Sequence, residues 1–556
     1  MKRTGEALQR VPAALVLALA GLLLFGLHIG MPLTDGDTAF YARIARNIVE
    51  SGDWQTLRFK DYALIDKPPL TMWLIAVSYY LLGVNEAAIR CWHVLMAIGI
   101  VLILFKTALL FYSQSTALLS AWMLLSSALF GYMAMVPQQD VPLTFFLALG
   151  LYGFARFLRG DGWQHMYLFW IATALGVLAR GLQSFVLAVV IAGATLFLLG
   201  WEHRRRLLTP WPRTALHVAA GLLVCLLIAA PWFVLEYRVH GRIFFDTFFG
   251  AGNSRFFESG SDGFDPVRFF SYVPLLLVAF LPWSGLSFHA LVDCARNVLR
   301  PSPAGASAGT GDSGLARMGD TLFFVWFLVA YTMPWVISWR VIRYLLPAIP
   351  PLAVIAARYL TPFVEGVAGR DKASGGMRLA ALLGVIVVLP TLLLTIAVLA
   401  NALPPEQLIY VPVVLPLLLA LAASMLFFAW AGWTRRYRLA VSGLVAGGLL
   451  STAFLLSGLN AFMVDINPWK EAAAVVNKGA GPDERVVWAG GGDNWFLDFY
   501  VDGWVDRAEA VEADPAAFAG SWWVGTQAQI ERLSVAAGLD VEPLWNRGEI
   551  VVVRAR

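Results

Sequence analysis

Long apolar runs, separated by short charged stretches, fill the chain from its start to about residue 460. Several runs reach or pass the ~18 residues that read as a membrane span, among them Val11–Met31, Phe269–Leu286 and Leu379–Ala400. Only helices and closed barrels satisfy their backbone hydrogen bonds in lipid, so the pattern predicts an α-helical polytopic membrane protein. The first run follows Lys2, Arg3 and Arg10. It exceeds a signal-peptide core and lacks a small-residue cleavage site before Pro32, so it is read as an uncleaved span with a cytoplasmic N-terminus.

Two polar segments break the apolar rhythm. The first is loop 32–88. Within it, Thr38–Glu50 has helical periodicity, with Phe40, Ile44 and Ile48 on one face, Asp37 or Asp35 as N-cap and Gly52 as stop. Such a helix is expected to lie along a membrane interface. Lys67-Pro68-Pro69 then opens a new helix over Leu70–Leu82. The second polar segment is loop 236–268.

Past residue 460 the pattern changes, and 461–556 reads as a small C-terminal α/β domain. Helices are expected over Pro468–Asn477 and Thr526–Ala537. Strands are expected over Arg485–Trp488, Ser521–Gly525, Val541–Trp545 and Glu549–Val553. Ala489–Asp493 (AGGGD) lacks GxGxxG spacing and reads as a tight turn.

Charge orients the spans. Arg156 and Arg159, Arg204–Arg206 with Arg213, Arg296 with Arg300 and Arg317, Arg370 with Lys372 and Arg378, and Arg435, Arg436 and Arg438 form five basic loops. With these cytoplasmic, the spans alternate without conflict and number about thirteen. The N-terminal 1–460 become the transmembrane domain. Loops 32–88 and 236–268, the regions near 140 and 340, and the C-terminal domain fall on the periplasmic side. The net charge of +4 comes from arginines beside spans and implies no nucleic-acid partner. Cys91, Cys225 and Cys294 all lie outside the tail, so no disulfide framework is expected there. The seven histidines show no metal-ligand spacing.

The outer face then gathers the chemistry. It holds Asp35, Asp37, Arg43, Asp66 and Lys67 from the first loop, Asp140 at a span end, Arg255 among the charges of 236–268, and Arg340 and Arg343 in SWRVIRYLLPAIPP. Charges at membrane depth cost ~2.5–3.5 kcal/mol on insertion scales and are functional candidates by default. Blander roles exist: Asp37 as a helix cap, and Lys67 or Arg343 snorkelling past apolar surface. As a set, the carboxylates and cations suit transfer of a sugar from a lipid phosphate. Cations stabilise the departing phosphate, and a carboxylate takes the proton of a hydroxyl acceptor. A transporter would also explain many spans with buried charge, but it predicts paired repeats and broken helices at mid-membrane. A non-catalytic scaffold needs no charge cluster.

The motifs resemble the GT-C superfamily of polyprenyl-phosphate-dependent glycosyltransferases, in particular the bacterial branch of lipid A aminoarabinose transferases, related to protein O-mannosyltransferases. The resemblance is carried by Asp37-Thr38-Ala39-Phe40-Tyr41-Ala42-Arg43, by Asp66-Lys67-Pro68-Pro69-Leu70-Thr71-Met72-Trp73, by Arg343-Tyr344-Leu345-Leu346-Pro347-Ala348-Ile349-Pro350, by Pro231–Val234 and by Arg255-Phe256. It implies a GT-C fold and an undecaprenyl-phosphate sugar donor. It also implies a lipid A, lipopolysaccharide or other surface-glycan acceptor at the inner membrane, and inversion at the anomeric carbon. By the same resemblance Asp37 and Asp140 are the catalytic aspartates. Lys67 and Arg255 contact the lipid phosphate, and Tyr344 and Tyr41 line the site, with Asp66 and Arg343 alongside. Thr38 stands where the branch has a second acidic residue, Phe40 where it has arginine, Asp66 where it has glutamate, and Gly250–Arg255 lacks its histidine. These departures leave a divalent metal open, with no metal ligands assigned.

Overall fold

Helices dominate the described residues, and several are of span length, as the apolar runs predict. The computed structural model describes residues 2–60, 62–251, 272–299, 312–336, 341–366, 393, 397, 411–481 and 484–556. Among them, seven helices are long and apolar enough to cross a membrane: Glu86–Ala108, Asp140–Leu158, Trp211–His240, Gly314–Trp335, Ile342–Val364, Leu415–Trp433 and Tyr437–Met463. Three shorter apolar helices are Pro12–Gly26, Leu70–Leu82 and Leu182–Leu198. The span expected at Leu379–Ala400 lies outside the described residues except for Leu393 and Ala397. The run read as a single span over Phe269–Leu286 differs. Its described part bends by 112° between the helices Tyr272–Ala279 and Ser284–Leu299. Pro282 sits in the break, where its missing N–H cannot continue a helical ladder. The chain is a polytopic α-helical membrane protein that ends in a small α/β portion.

It divides into two compact units. The helical unit comprises Met1–Ile29, Ile65–Thr71 and Arg90–Gly458. In it, Asp140–Leu158 and Gln164–Arg180 form an antiparallel pair joined by a tight turn. Gly153 sets how closely they pack, since a Cβ there would fall 2.5 Å from the His165 carbonyl oxygen. Backbone cannot give way as a flexible side chain would, so only glycine fits. The pair therefore brings the start of the first helix and the end of the second, Asp140 and Arg180, to one end. Arg156 lies sixteen residues along, about 24 Å away at 1.5 Å per residue. That opposite end holds a cavity of ≈ 990 Å³ lined by Tyr112, Arg156, Arg358 and Glu365 among others.

The second unit comprises Gly30–Leu64, Met72–Ile89 and Leu459–Arg556. Its sheet has the order β4-β3-β5-β7-β6, with β3 Val486–Trp488, β4 Val505–Arg507, β5 Trp522–Thr526, β6 Val541–Arg547 and β7 Ile550–Ala555. β4, β3 and β5 run parallel, while β7 is antiparallel to β5 and β6. The helix Gln527–Ala537 starts in a capping box between Thr526 and Gln529 and stops at Gly538. All four expected strands and both expected helices are present. The turn at Ala489–Asp493 leads into a further short helix, Trp495–Tyr500.

The loop helix spans Gly36–Ser51 and ends at Gly52, whose φ of 72° needs a residue without a Cβ. A two-residue hairpin follows, β1 Arg58–Phe59 against β2 Tyr62–Ala63. The apolar face of the loop helix does not await lipid, as its periodicity suggested. Ala39, Ile44 and Ile48 pack in one core with Phe499, and Phe40 lies 5.2 Å from the Trp495 ring. Arg43 is fully buried, its guanidinium 3.9 Å from the Trp504 ring and its Nη2 donating to Gly503 O at 2.8 Å. Burial pulls its pKa below the ordinary arginine value. Arg46 donates to the carbonyls of Phe499 and Val501 and pairs with Glu50 and Asp502.

Candidate functional site

In the helical unit the site is built around Asp140. The turn before it is held by two buried side chains. Arg90 donates to Met135 O at 3.0 Å and to Ile29 O at 3.2 Å, and His93 Nε2 lies 2.6 Å from Gln138 O. Asp140 opens its helix, where the positive end of the macrodipole favours a carboxylate. It is 1% exposed. An ionised side chain this deep needs counter-charge, and two guanidiniums supply it. Arg180 Nη1 lies 2.7 Å from Oδ1, and Arg343 Nε lies 3.7 Å from Oδ2. Neither Asp140 oxygen takes a well-aligned hydrogen bond among the described residues, so the contact is mainly Coulombic.

The two arginines come from distant parts of the chain. Arg180 is the last residue of its helix, and Gly181, at φ 84°, ends it. Its Nε donates to Gln183 Oε1 at 3.2 Å. Arg343 belongs to the 3-10 helix Ile342–Ala348, which runs into the proline-started helix Ile349–Val364. The Tyr344 ring lies 5.1 Å from the Arg180 guanidinium and 5.8 Å from that of Arg343. An aromatic face favours cations at this distance.

Asp66 and Lys67 pair with each other at 2.9 Å and are both partly exposed. Their segment is fastened at Thr71, whose Oγ1 donates at 3.4 Å to the carbonyl of Ala179, the residue before Arg180. Of the residues expected from sequence, Asp140, Arg343 and Tyr344 thus meet directly, and Asp66 and Lys67 sit on a strip tied to the same helix end. Asp37 and Tyr41 belong to the second unit. There Asp35, not Asp37, caps the loop helix, accepting from Thr38 N at 2.9 Å and from Thr38 Oγ1 at 2.6 Å. Asp37 is left in the first turn without the capping duty. Tyr41 is buried in the core of that unit. Arg255 lies outside the described residues. Arg180 was missed by the sequence reading. A basic residue closing an apolar helix, at the end opposite Arg156, was the available signal.

Among the described residues no group of three or more His, Cys, Asp or Glu side chains gathers as a metal cage. The arrangement offers one buried carboxylate with open acceptor capacity and two guanidiniums beside it, with the Lys67 ammonium on the strip tied to the Arg180 helix end. Together they can bind an anion and orient a polar group beside it.

The sequence pattern of the dolichyl-phosphate-mannose-protein mannosyltransferase family matches residues 66–234. An uncharacterized protein of Aquifex aeolicus is 29% identical over 327 residues, 58% of this chain and 58% of that protein. The undecaprenyl phosphate-alpha-4-amino-4-deoxy-L-arabinose arabinosyl transferase 2 of Pseudomonas fluorescens is 25% identical, over 63% of this chain and 57% of its own length. The chain thus spans less than two thirds of these curated relatives. The crystal structure of ArnT from Cupriavidus metallidurans bound to undecaprenyl phosphate superposes with a TM-score of 0.74 at 20% identity, covering 99% of this chain and 98% of that one. The fold is shared from end to end, and the resemblance to GT-C glycosyltransferases holds in sequence and in fold.

Proposed function

We propose that the chain is an inner-membrane glycosyltransferase that moves a sugar from undecaprenyl phosphate to a lipid A, lipopolysaccharide or other glycan acceptor on the periplasmic face. One observation carries this: a single carboxylate, Asp140, is bracketed by guanidiniums from helix ends far apart in sequence, beside the strip that bears Lys67. Guanidiniums and an ammonium of this kind suit a lipid-borne phosphate. The relatives named for undecaprenyl-phosphate arabinosyl transfer, and the full-length fold likeness, support the same class.

In the reaction, an acceptor oxygen attacks the anomeric carbon while the carbon–oxygen bond to the phosphate breaks. The bonding pair leaves on the phosphate, where Lys67, Arg343 and Arg255 stabilise the growing charge. A hydroxyl acceptor passes its proton to Asp37, whereas an anionic acceptor needs no base. Asp140, with unfilled acceptor positions, orients a sugar hydroxyl. A single displacement gives inversion. The test is transfer by purified protein from labelled undecaprenyl-phosphate sugars to a lipid extract, with mass spectrometry of lipid A and surface glycans from cells with and without the protein. Transfer with an inverted anomeric centre supports the reading. Failure with every donor, alongside counterflow of a solute, overturns it in favour of a transporter.

A further inference from the structure

Arg180 has no part in that scheme, yet its guanidinium is held on several sides. Three contacts fix it: Asp140 at Nη1 (2.7 Å), Gln183 Oε1 at Nε (3.2 Å) and the Tyr344 ring at 5.1 Å. A guanidinium has five N–H donors; here Nε donates to Gln183 and Nη1 makes the ion pair with Asp140. Nη2 has no partner among the described residues. It is also not among the buried unsatisfied atoms, so it keeps some accessible surface. The side chain is 13% exposed, enough for one edge to be reached while the rest stays packed.

We propose that Arg180 is a direct phosphate-binding residue, its Nη2 edge meeting the phosphate of the polyprenyl-linked substrate. The proposal rests on the transferase reading and deepens it. Asp140 then has a second duty: with Gln183 and Tyr344 it aims the fork before substrate arrives, so little side-chain entropy is lost on binding. The Thr71–Ala179 hydrogen bond ties the strip that carries Lys67 to the same helix end.

Removing Arg180 alone strands a buried carboxylate, so the test removes charge in pairs. Full-length protein in nanodiscs is titrated with undecaprenyl phosphate and, separately, with undecaprenol. Asp140→Asn, which keeps Arg180, is the reference, and Asp140→Asn/Arg180→Gln is the comparison. The double variant should bind undecaprenyl phosphate at least tenfold more weakly than the reference and undecaprenol equally well. Arg180→Lys, which keeps the pairing with Asp140 but not the fork, should fall between wild type and the double variant. Equal affinity of reference and double variant for the phosphate overturns the proposal and leaves the transferase reading standing. So does a matching loss for undecaprenol, or unfolding of both Arg180 variants, which makes the residue a strut. Failure of the wild type to bind undecaprenyl phosphate overturns the transferase reading and the proposal with it.

Discussion

Asp498 gives a prediction whose sign follows from burial. Its side chain is fully enclosed, with Lys60 Nζ 3.5 Å away and Val505 N donating to it at 3.3 Å. Burial outweighs that ammonium and pushes the pKa from 3.8 up to about 6. A carboxylate raised in this way holds its proton more tightly folded than unfolded. Its contribution therefore favours folding at low pH, and that advantage is lost as pH rises from about 4 to about 6. The rise corresponds to roughly 3 kcal/mol. Neighbouring Asp493 works the other way. Its hydrogen bonds and ion pairs with Arg507 and Lys60 overcome burial and lower its pKa. Its stabilisation is present above the ordinary carboxylate range and is lost on acidification. Asp498→Asn keeps the shape and an acceptor for Val505 N while removing the titration. The opening free energy of Trp495–Tyr500, read by amide hydrogen exchange on the full chain, isolates the effect as variant minus wild type. That difference should grow by roughly 3 kcal/mol in the variant's favour between pH 4 and pH 7 and then stay flat. A flat difference across that range, or growth towards low pH, would refute the reasoning.

Other outcomes concern the site and the loop helix. Lys67→Ala should abolish most transfer while the protein still inserts and folds, and normal turnover would reduce the residue to snorkelling. Asp37→Asn should slow transfer to a hydroxyl acceptor by at least ~10²-fold, since Asp35 and not Asp37 does the capping. Gly36→Ala would set a Cβ 2.9 Å from the Trp495 ring and should destabilise the loop helix by about 1–3 kcal/mol, seen as faster exchange over Gly36–Ser51.

Local signals in the sequence reached a long way. The Lys-Pro-Pro break and the apolar run after it place a helix at Leu70–Leu82, as observed. Asp35, Gly52 and the four-residue spacing place the loop helix to within two residues. The tail strands followed from β-branched runs between turns. β4 escaped because it is three residues long, carries Asp506 and Arg507, and pairs on one side only. Long-range partners escaped for a different reason. No periodicity says that Phe40 will meet Trp495 or that Arg43 will bury itself against Trp504. At the site, Asp140 and Arg343 stood out as charged residues in apolar surroundings, and Tyr344 entered through the family resemblance. Arg180 did not, because an arginine closing an apolar helix reads the same whether it meets solvent or a carboxylate 40 residues earlier in the chain.

The burial of Arg43 and the tethering of Arg46 make the first loop and the C-terminal portion mutual lodgers. A chain stopped before residue 459 would leave one guanidinium without its ring and carbonyl, and the other without three of its acceptors. The helix bearing Asp37 would then have lost the floor it stands on. Shortening this protein at its far end should therefore disable it from the front.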